Sequence, residues 1–270
     1  MPRFSANIGL LWPDRPLLER IDAAARAGFR AIEMHWPYEV PAAEVAARCR
    51  RQGLRILGIN TSRGDFERGE RGLGAQPGRE AAFLEDFERV RRYGRACGAS
   101  AIHVMAGNLP AEGYEAGRRT LLANLAAAVQ RVADEDLTLL LEPLNPRDNP
   151  GYFYSTVEQA AAIVRELASP RVKLQFDAYH VALTEGDVLG KLERYLPMIG
   201  HVQIAAVPNR AEPDEGELDY KTVFRALDAL GYAGWVGCEY HPRGETDAGL
   251  AWTAALGIDL SRAEPPNTAA

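Results

Sequence analysis

The sequence predicts a single (β/α)₈ TIM barrel. Three observations carry the prediction. Eight short β-rich apolar runs alternate with longer amphipathic stretches, the 270 residues fit the roughly 250 that such a barrel needs, and no linker or change of composition divides the chain. A strand always followed by a helix implies parallel pairing through crossovers. The economical closed form of eight such units is a barrel. An open doubly wound sheet is the competitor, but no G-x-x-x-x-G-K-[ST] occurs. Gly72-Leu73-Gly74 with Gly78 sits in a loop rather than opening a helix directly after a strand, so a dinucleotide site is rejected.

The elements read in order. FSANIGL at 4–10 is the first strand. A helical pattern follows from Pro16 to Ala27, with Leu17, Leu18, Ile21, Ala24 and Ala25 on one face and Gly28 as its stop. AIEMHW at 31–36 and RILGIN at 55–60 are the next strands, and Gly53 and Gly98 close the second and third helices. AIHVMAG at 101–107 and TLLLEPL at 138–144 come next. Ser155-Thr156-Val157-Glu158 opens the fifth helix with an N-cap and an acid three residues on. VKLQFDAY at 172–179, IGHVQIAA at 199–206 and GWVGCEYH at 234–241 complete the barrel. The barrel is assigned to residues 1–258, and residues 259–270, with Glu264-Pro265-Pro266-Asn267, read as a flexible tail.

Bulk composition excludes several function classes. With 47% hydrophobic and 25% charged residues the chain is globular, without a disorder signature. No apolar run reaches the ~18 residues of a membrane span, and the first residues lack the apolar core of a signal peptide, so a cytoplasmic protein is expected. Cys49, Cys97 and Cys238 are scattered, which argues against a disulfide framework and a thiolate zinc site. The net charge of -6 and the interleaved acids argue against nucleic acid as a partner.

Barrel strands are covered on both faces and should read as nearly continuous apolar runs. Four positions break that rule. Glu142 follows Leu139-Leu140-Leu141, Asp177 follows Leu174-Gln175-Phe176, Gln203 follows His201-Val202, and Glu239 follows Val236-Gly237-Cys238. All lie towards the C-terminal ends of strands five to eight, the rim where barrel active sites form. Three converging carboxylates repel one another and raise each other's pKa. No lysine or arginine lies within two residues of Glu142 or Glu239, so a divalent cation is the simple resolution. Three carboxylates and an amide carbonyl are hard donors and favour Mg²⁺ or Mn²⁺. Glu142 and Glu239, three strands apart, can approach a substrate from different sides as base and acid. A cation spanning a carbonyl and a neighbouring hydroxyl would stabilise the enediolate between them. That chemistry is an aldose–ketose type isomerisation.

Several motifs resemble the hydroxypyruvate isomerase family of xylose-isomerase-like barrels. They are Arg3-Phe4-Ser5-Ala6-Asn7, Pro77-Gly78-Arg79-Glu80, His201-Val202-Gln203-Ile204-Ala205, Glu212-Pro213 with Gly216-Glu217, and Gly234-Trp235-Val236-Gly237-Cys238-Glu239-Tyr240. The resemblance covers about residues 3–252. It implies that Glu142, Asp177, Gln203 and Glu239 are metal ligands, and that the two glutamates also donate and accept the proton. It implies interconversion of hydroxypyruvate and tartronate semialdehyde. Ile59-Asn60-Thr61 with Gly64-Asp65, and His103-Val104-Met105-Ala106-Gly107, look more like the sister 2-oxo-tetronate isomerases, which act on an acid one carbon longer. Family members often carry lysine where this chain has His241, and a histidine is cationic only part of the time near neutral pH.

Around this quartet, Arg210 in the loop after strand seven is expected to clamp a substrate carboxylate, with a surface ion pair to Glu212 or Asp214 as the alternative. His180 and His241 are further substrate-binding candidates. His201 shares the parity of Gln203 and falls one layer below it, in the core; His103 lies inside strand four; Glu33 is a structural partner. The segment from Thr61 to Arg79 is long for a βα loop and carries five glycines, at 64, 69, 72, 74 and 78, so residues 61–78 are expected to act as a lid. The expected partner is a small hydroxy-oxo acid, with no nucleic acid and no membrane, and homo-oligomerisation is allowed. A free-sugar 3-epimerase is the nearest rival, though that group usually has histidine where Gln203 stands. A barrel-type abasic-site endonuclease would need a histidine-rich zinc cluster and a basic face, against five histidines and a net negative charge.

Overall fold

The computed structural model describes residues 1–67 and 69–261. Eight strands, β1 (Arg3–Asn7), β2 (Ala31–Glu33), β3 (Arg55–Asn60), β4 (Ala99–His103), β5 (Thr138–Leu141), β6 (Val172–Asp177), β7 (Ile199–Ile204) and β8 (Trp235–Cys238), form a closed parallel barrel in sequence order, with β1 pairing β8. The helices are α1 (Leu17–Arg26), α2 (Ala42–Gln52), α3 (Glu80–Cys97), α4 (Tyr114–Arg131), α5 (Val157–Leu167), α6 (Ala178–Thr184), α7 (Val188–Tyr195), α8 (Tyr220–Ala229), α9 (Thr246–Gly249) and α10 (Trp252–Leu256). None is long and apolar enough to cross a membrane. Cys49, Cys97 and Cys238 are free and buried.

The strands end sooner than the apolar runs suggest, because loop groups take over their backbone partners. The run at 101–107 leaves the ladder after His103. The Met105 N–H then donates to Thr61 Oγ1 (2.9 Å) and the Ala106 N–H to Tyr152 Oη (2.9 Å). Glu142 and Glu239 are the first residues past β5 and β8, at the start of the rim loops. Gly53 and Gly98 end α2 and α3 in the left-handed conformation, at φ 65° and 83°. The cap of α5 differs from the sequence expectation. Thr156 pairs reciprocally with Gln159, one residue past Glu158, which bonds Arg165 and Tyr195 instead. Leu260, assigned from the sequence to the tail, is buried in the core; residues 262–270 lie outside the described residues.

The hydrophobic core lies mainly between strands and helices, as where Phe4 meets Phe224 and Trp252 edge-on. The space inside the barrel is different. TIM interiors are usually filled by layers of branched apolar side chains. Here Ser5, Glu33, Gln175, His201 and Gln203 are buried within it, and a cavity of about 280 Å³ extends from Arg3, Thr138 and Trp235 at the strand starts to Gln203 and Glu239 at their ends. Glu33 is its hub. It accepts hydrogen bonds from Ser5 Oγ (2.7 Å) and Gln203 Nε2 (2.7 Å), and His201 Nε2 lies 2.9 Å away. Burial disfavours the His201 cation, but Glu33 outweighs it and holds the ring above its ordinary pKa.

Gly237 makes room for this hub. It pairs with Gln203 across the β7–β8 ladder, and a Cβ on it would overlap the Glu33 carboxylate. Gly237→Ala is therefore expected to destabilise the protein by about 1–3 kcal/mol, as overpacking against a side chain held by its neighbours does. Urea denaturation checks this; an unchanged midpoint would refute the role given to Gly237.

Candidate active site

β6 and β7 place Asp177 and Gln203 side by side in register, and β5 and β8 deliver Glu142 and Glu239 to the same rim. All four side chains are buried, none more than 5% exposed. Each is held by one atom and bare at the other. Glu142 Oε2 accepts from Gln175 Nε2 (2.8 Å), with His103 Nδ1 3.4 Å away. Asp177 Oδ1 accepts from the Tyr179 N–H (2.9 Å) as the N-cap of α6. Gln203 Nε2 donates to Glu33, which fixes the orientation of its amide. Glu239 Oε1 lies 2.7 Å from His35 Nε2. The remaining oxygens, Glu142 Oε1, Asp177 Oδ2, Gln203 Oε1 and Glu239 Oε2, are buried and have no hydrogen-bond partner among the described residues. Four orphaned hard oxygens at one barrel rim are what a divalent cation requires, and buried acceptors left bare are otherwise destabilising.

The electrostatics agree with the geometry. Burial, then Glu239 and Asp177, raise the Glu142 carboxyl well above its ordinary pKa. Burial, then Glu239, raise Asp177 to about 7. Burial alone would raise Glu239 too, but Arg210 and the His35 hydrogen bond outweigh it and hold that carboxyl low. Arg210 therefore points inward. Its Nη2 lies 3.9 Å from Asp177 Oδ2 and 3.5 Å from Glu239 Oε2, and its guanidinium sits 5.2 Å from the Tyr179 ring centroid. The alternative partners Glu212 and Asp214 belong to Arg243.

His180 Nε2 lies 3.9 Å from Glu142 Oε1 and 3.6 Å from Asp177 Oδ2. Ligand-capable atoms of these three residues fall within 4.8 Å of one another. His180 Nδ1, however, accepts the backbone N–H of Asn145 (3.1 Å), and burial pushes the ring down to about 3, so it is neutral with its hydrogen on Nε2. That nitrogen is a donor aimed at the oxygens of Glu142 and Asp177. His241 is exposed beside Arg210, to whose carbonyl its N–H donates (2.8 Å). Burial, then Arg210, lower its pKa, so it is a weak cation there. His103, pushed down to about 4 by burial, is neutral as well.

Two partners escaped the sequence reading, His35 and Gln175. Both had a signal in strand alternation, since His35 stands two residues after Glu33 and Gln175 two before Asp177. Within the expected lid, Gly72 bridges Ala106 just past β4, and Asn108 Nδ2 donates to the Gly69 carbonyl (3.0 Å).

Comparison with known proteins places the chain. Residues 21–256 match the family of xylose isomerase-like TIM barrels. The chain is 48% identical over 253 residues to a 2-oxo-tetronate isomerase of Cupriavidus necator, covering 93% of this chain and 97% of that one. It is 46% identical over 258 residues to a putative hydroxypyruvate isomerase of Mus musculus, covering 93% of each. The crystal structure of a Brucella melitensis protein described as an AP endonuclease of family 2 is 40% identical and superposes with a TM-score of 0.92, covering 94% of this chain and 99% of that one. A match over nearly the whole chain, at these identities and on a closed eight-stranded barrel, makes this protein a member of the hydroxypyruvate isomerase family, a family of isomerases within the xylose isomerase-like TIM barrels.

Proposed function

We propose that the protein isomerises a small hydroxy-oxo acid, exchanging hydroxyl and carbonyl between adjacent carbons, with hydroxypyruvate and 2-oxo-tetronate as the candidate substrates. The observation that carries this reading is the set of four bare oxygens on Glu142, Asp177, Gln203 and Glu239. They fit Mg²⁺ or Mn²⁺, and the ion would supply electrostatic stabilisation of the enediolate charge. The family relatives named 2-oxo-tetronate isomerase and hydroxypyruvate isomerase support the substrate class. The endonuclease description of the Brucella protein finds little support in this donor set, which is built of carboxylates and an amide while His180 is committed as a donor.

The chain's own groups divide the proton work. Glu142 Oε1 and Glu239 Oε2 are free of hydrogen bonds among the described residues, and the other oxygens are tied to Gln175 and His35. One glutamate removes the proton from the hydroxyl-bearing carbon, and the other delivers one to the former carbonyl carbon. His180 Nε2–H and the Arg210 guanidinium hold substrate oxygens as charge moves between them. His241, beside Arg210, is a further candidate for contact with the substrate.

The direct test is proton NMR in D₂O with Mg²⁺ or Mn²⁺ and each candidate acid. Deuterium should enter the carbon beside the carbonyl of one of them; no exchange and no product with either acid would sink the reading. Glu142→Gln and Glu239→Gln should each lower turnover by about 10²–10⁴-fold at saturating metal. Asp177→Asn should recover much of its loss in excess metal. Rescue of both glutamine variants by metal alone would reduce the two glutamates to ligands.

Metal affinity should also depend on pH in a defined direction. Ligation needs ionised carboxylates, while Asp177 is raised to about 7 and Glu142 is raised as well. Affinity should therefore be full above neutrality and fall as pH drops through about 7, with protons released on binding. Calorimetry in buffers of different ionisation enthalpy measures both quantities. A pH-independent affinity between about pH 8 and pH 6 would contradict the carboxylate ligand set.

A further inference from the structure

The loop between β3 and α3 carries a stack of cations and aromatic rings. The Arg63 guanidinium lies 4.2 Å from the Trp36 ring centroid and 4.1 Å from that of Phe66, and Arg71 lies 4.1 Å from the same Phe66 ring. Phe66 is 45% exposed, too open to be there as core. Arginines elsewhere on the active rim have acids: Arg79 has Glu70, Arg147 has Asp148, and Arg243 has Glu212. Arg63 has no ion pair among the described residues, and its cationic neighbour is Arg71. A guanidinium packed on rings by its faces keeps its N–H edge for a planar anion, and two such cations side by side favour one.

The stack is anchored to the active site. The Trp36 indole N–H donates to the Thr61 carbonyl (2.9 Å) at the loop's root. The Trp36 ring stands 5.1 Å from that of His35, which bonds Glu239. The Arg63 carbonyl accepts the Gly72 N–H (2.9 Å), and Gly72 bridges Ala106 beyond β4. Gly72 has φ 139° and stands so close to Met105 that a Cβ would overlap the Met105 carbonyl, so the loop is fitted to this seat. Two side chains, His35 and Trp36, thus separate Arg63 from a reacting carboxylate. An acid entering a site of three carboxylates gains from a second cation besides Arg210, which lies between Asp177 and Glu239.

We propose that Arg63, packed on Trp36 and Phe66 beside Arg71, binds the substrate's carboxylate and so selects acids over neutral sugars. This deepens the hydroxy-oxo-acid reading above and rests on it. The test uses the metal-loaded full chain as wild type, Arg63→Met and Arg63→Lys. With whichever acid the wild type turns over, Arg63→Met should raise KM by about 10- to 100-fold, the size of losing charge-assisted hydrogen bonds, with kcat nearly unchanged. Arg63→Lys should recover part of the loss. Calorimetric binding of tartronate, an unreactive dicarboxylate, should weaken by a similar factor in Arg63→Met, while binding of neutral dihydroxyacetone should not change. An unchanged KM and tartronate affinity, or equal weakening for both probes, would overturn the assignment. If the wild type converts neither acid, the proposed reaction fails, and the two binding titrations still decide the role of Arg63.

Discussion

The rim is organised by the burial of three carboxyl groups, those of Glu142, Asp177 and Glu239, within electrostatic reach of one another. Burial and mutual repulsion both oppose ionisation, and Arg210 with His35 offsets only part of that. The chain does not relieve the conflict by surrounding each carboxylate with donors. It holds one oxygen of each with a single fixed donor and leaves the other bare. A side chain fixed at one atom cannot turn the other away, so the bare oxygens are oriented before any ion arrives. The stored electrostatic cost is what a divalent cation bound there would relieve.

The same requirement reaches below the rim. Gln203 can aim its carbonyl at the site only if its amide nitrogen is anchored, and the anchor is Glu33, itself buried. Glu33 in turn needs Ser5 and His201, and needs Gly237 to leave space. The apolar layers of an ordinary barrel interior are thus replaced by a hydrogen-bonded polar one around a cavity. Stability then rests on the outer layer, where Phe4, Phe224, Trp252 and their neighbours join strands to helices.

A barrel of this kind serves many reactions, so the fold does not choose among an acid isomerase, a sugar epimerase and an endonuclease. The side chains bear on the choice. Gln203 offers an amide oxygen where a histidine would offer nitrogen, and the tautomer of His180 directs a hydrogen rather than a lone pair towards Glu142 and Asp177. The role proposed for Arg63, packed on Trp36 and Phe66 beside Arg71, would favour an acid over a neutral sugar.

The sequence alone determined the barrel and the residues at its rim. Alternation of strands and helices is a local signal, and Glu142, Asp177, Gln203 and Glu239 stood out because polar groups interrupt runs that should be apolar. Glycine stops at Gly53 and Gly98 were legible for the same reason, since a left-handed cap is chosen by one residue. Only the tertiary structure decided which atoms of these rim residues are held and which are bare, because that depends on a partner from elsewhere in the barrel: Gln175 for Glu142, His35 for Glu239, Glu33 for Gln203. It also turned Arg210 inward, away from the nearby Glu212 and Asp214, which Arg243 takes. Sequence distance ranks such partners by proximity along the chain. The closed barrel ranks them by register across the ladder, and register is a property of eight strands together.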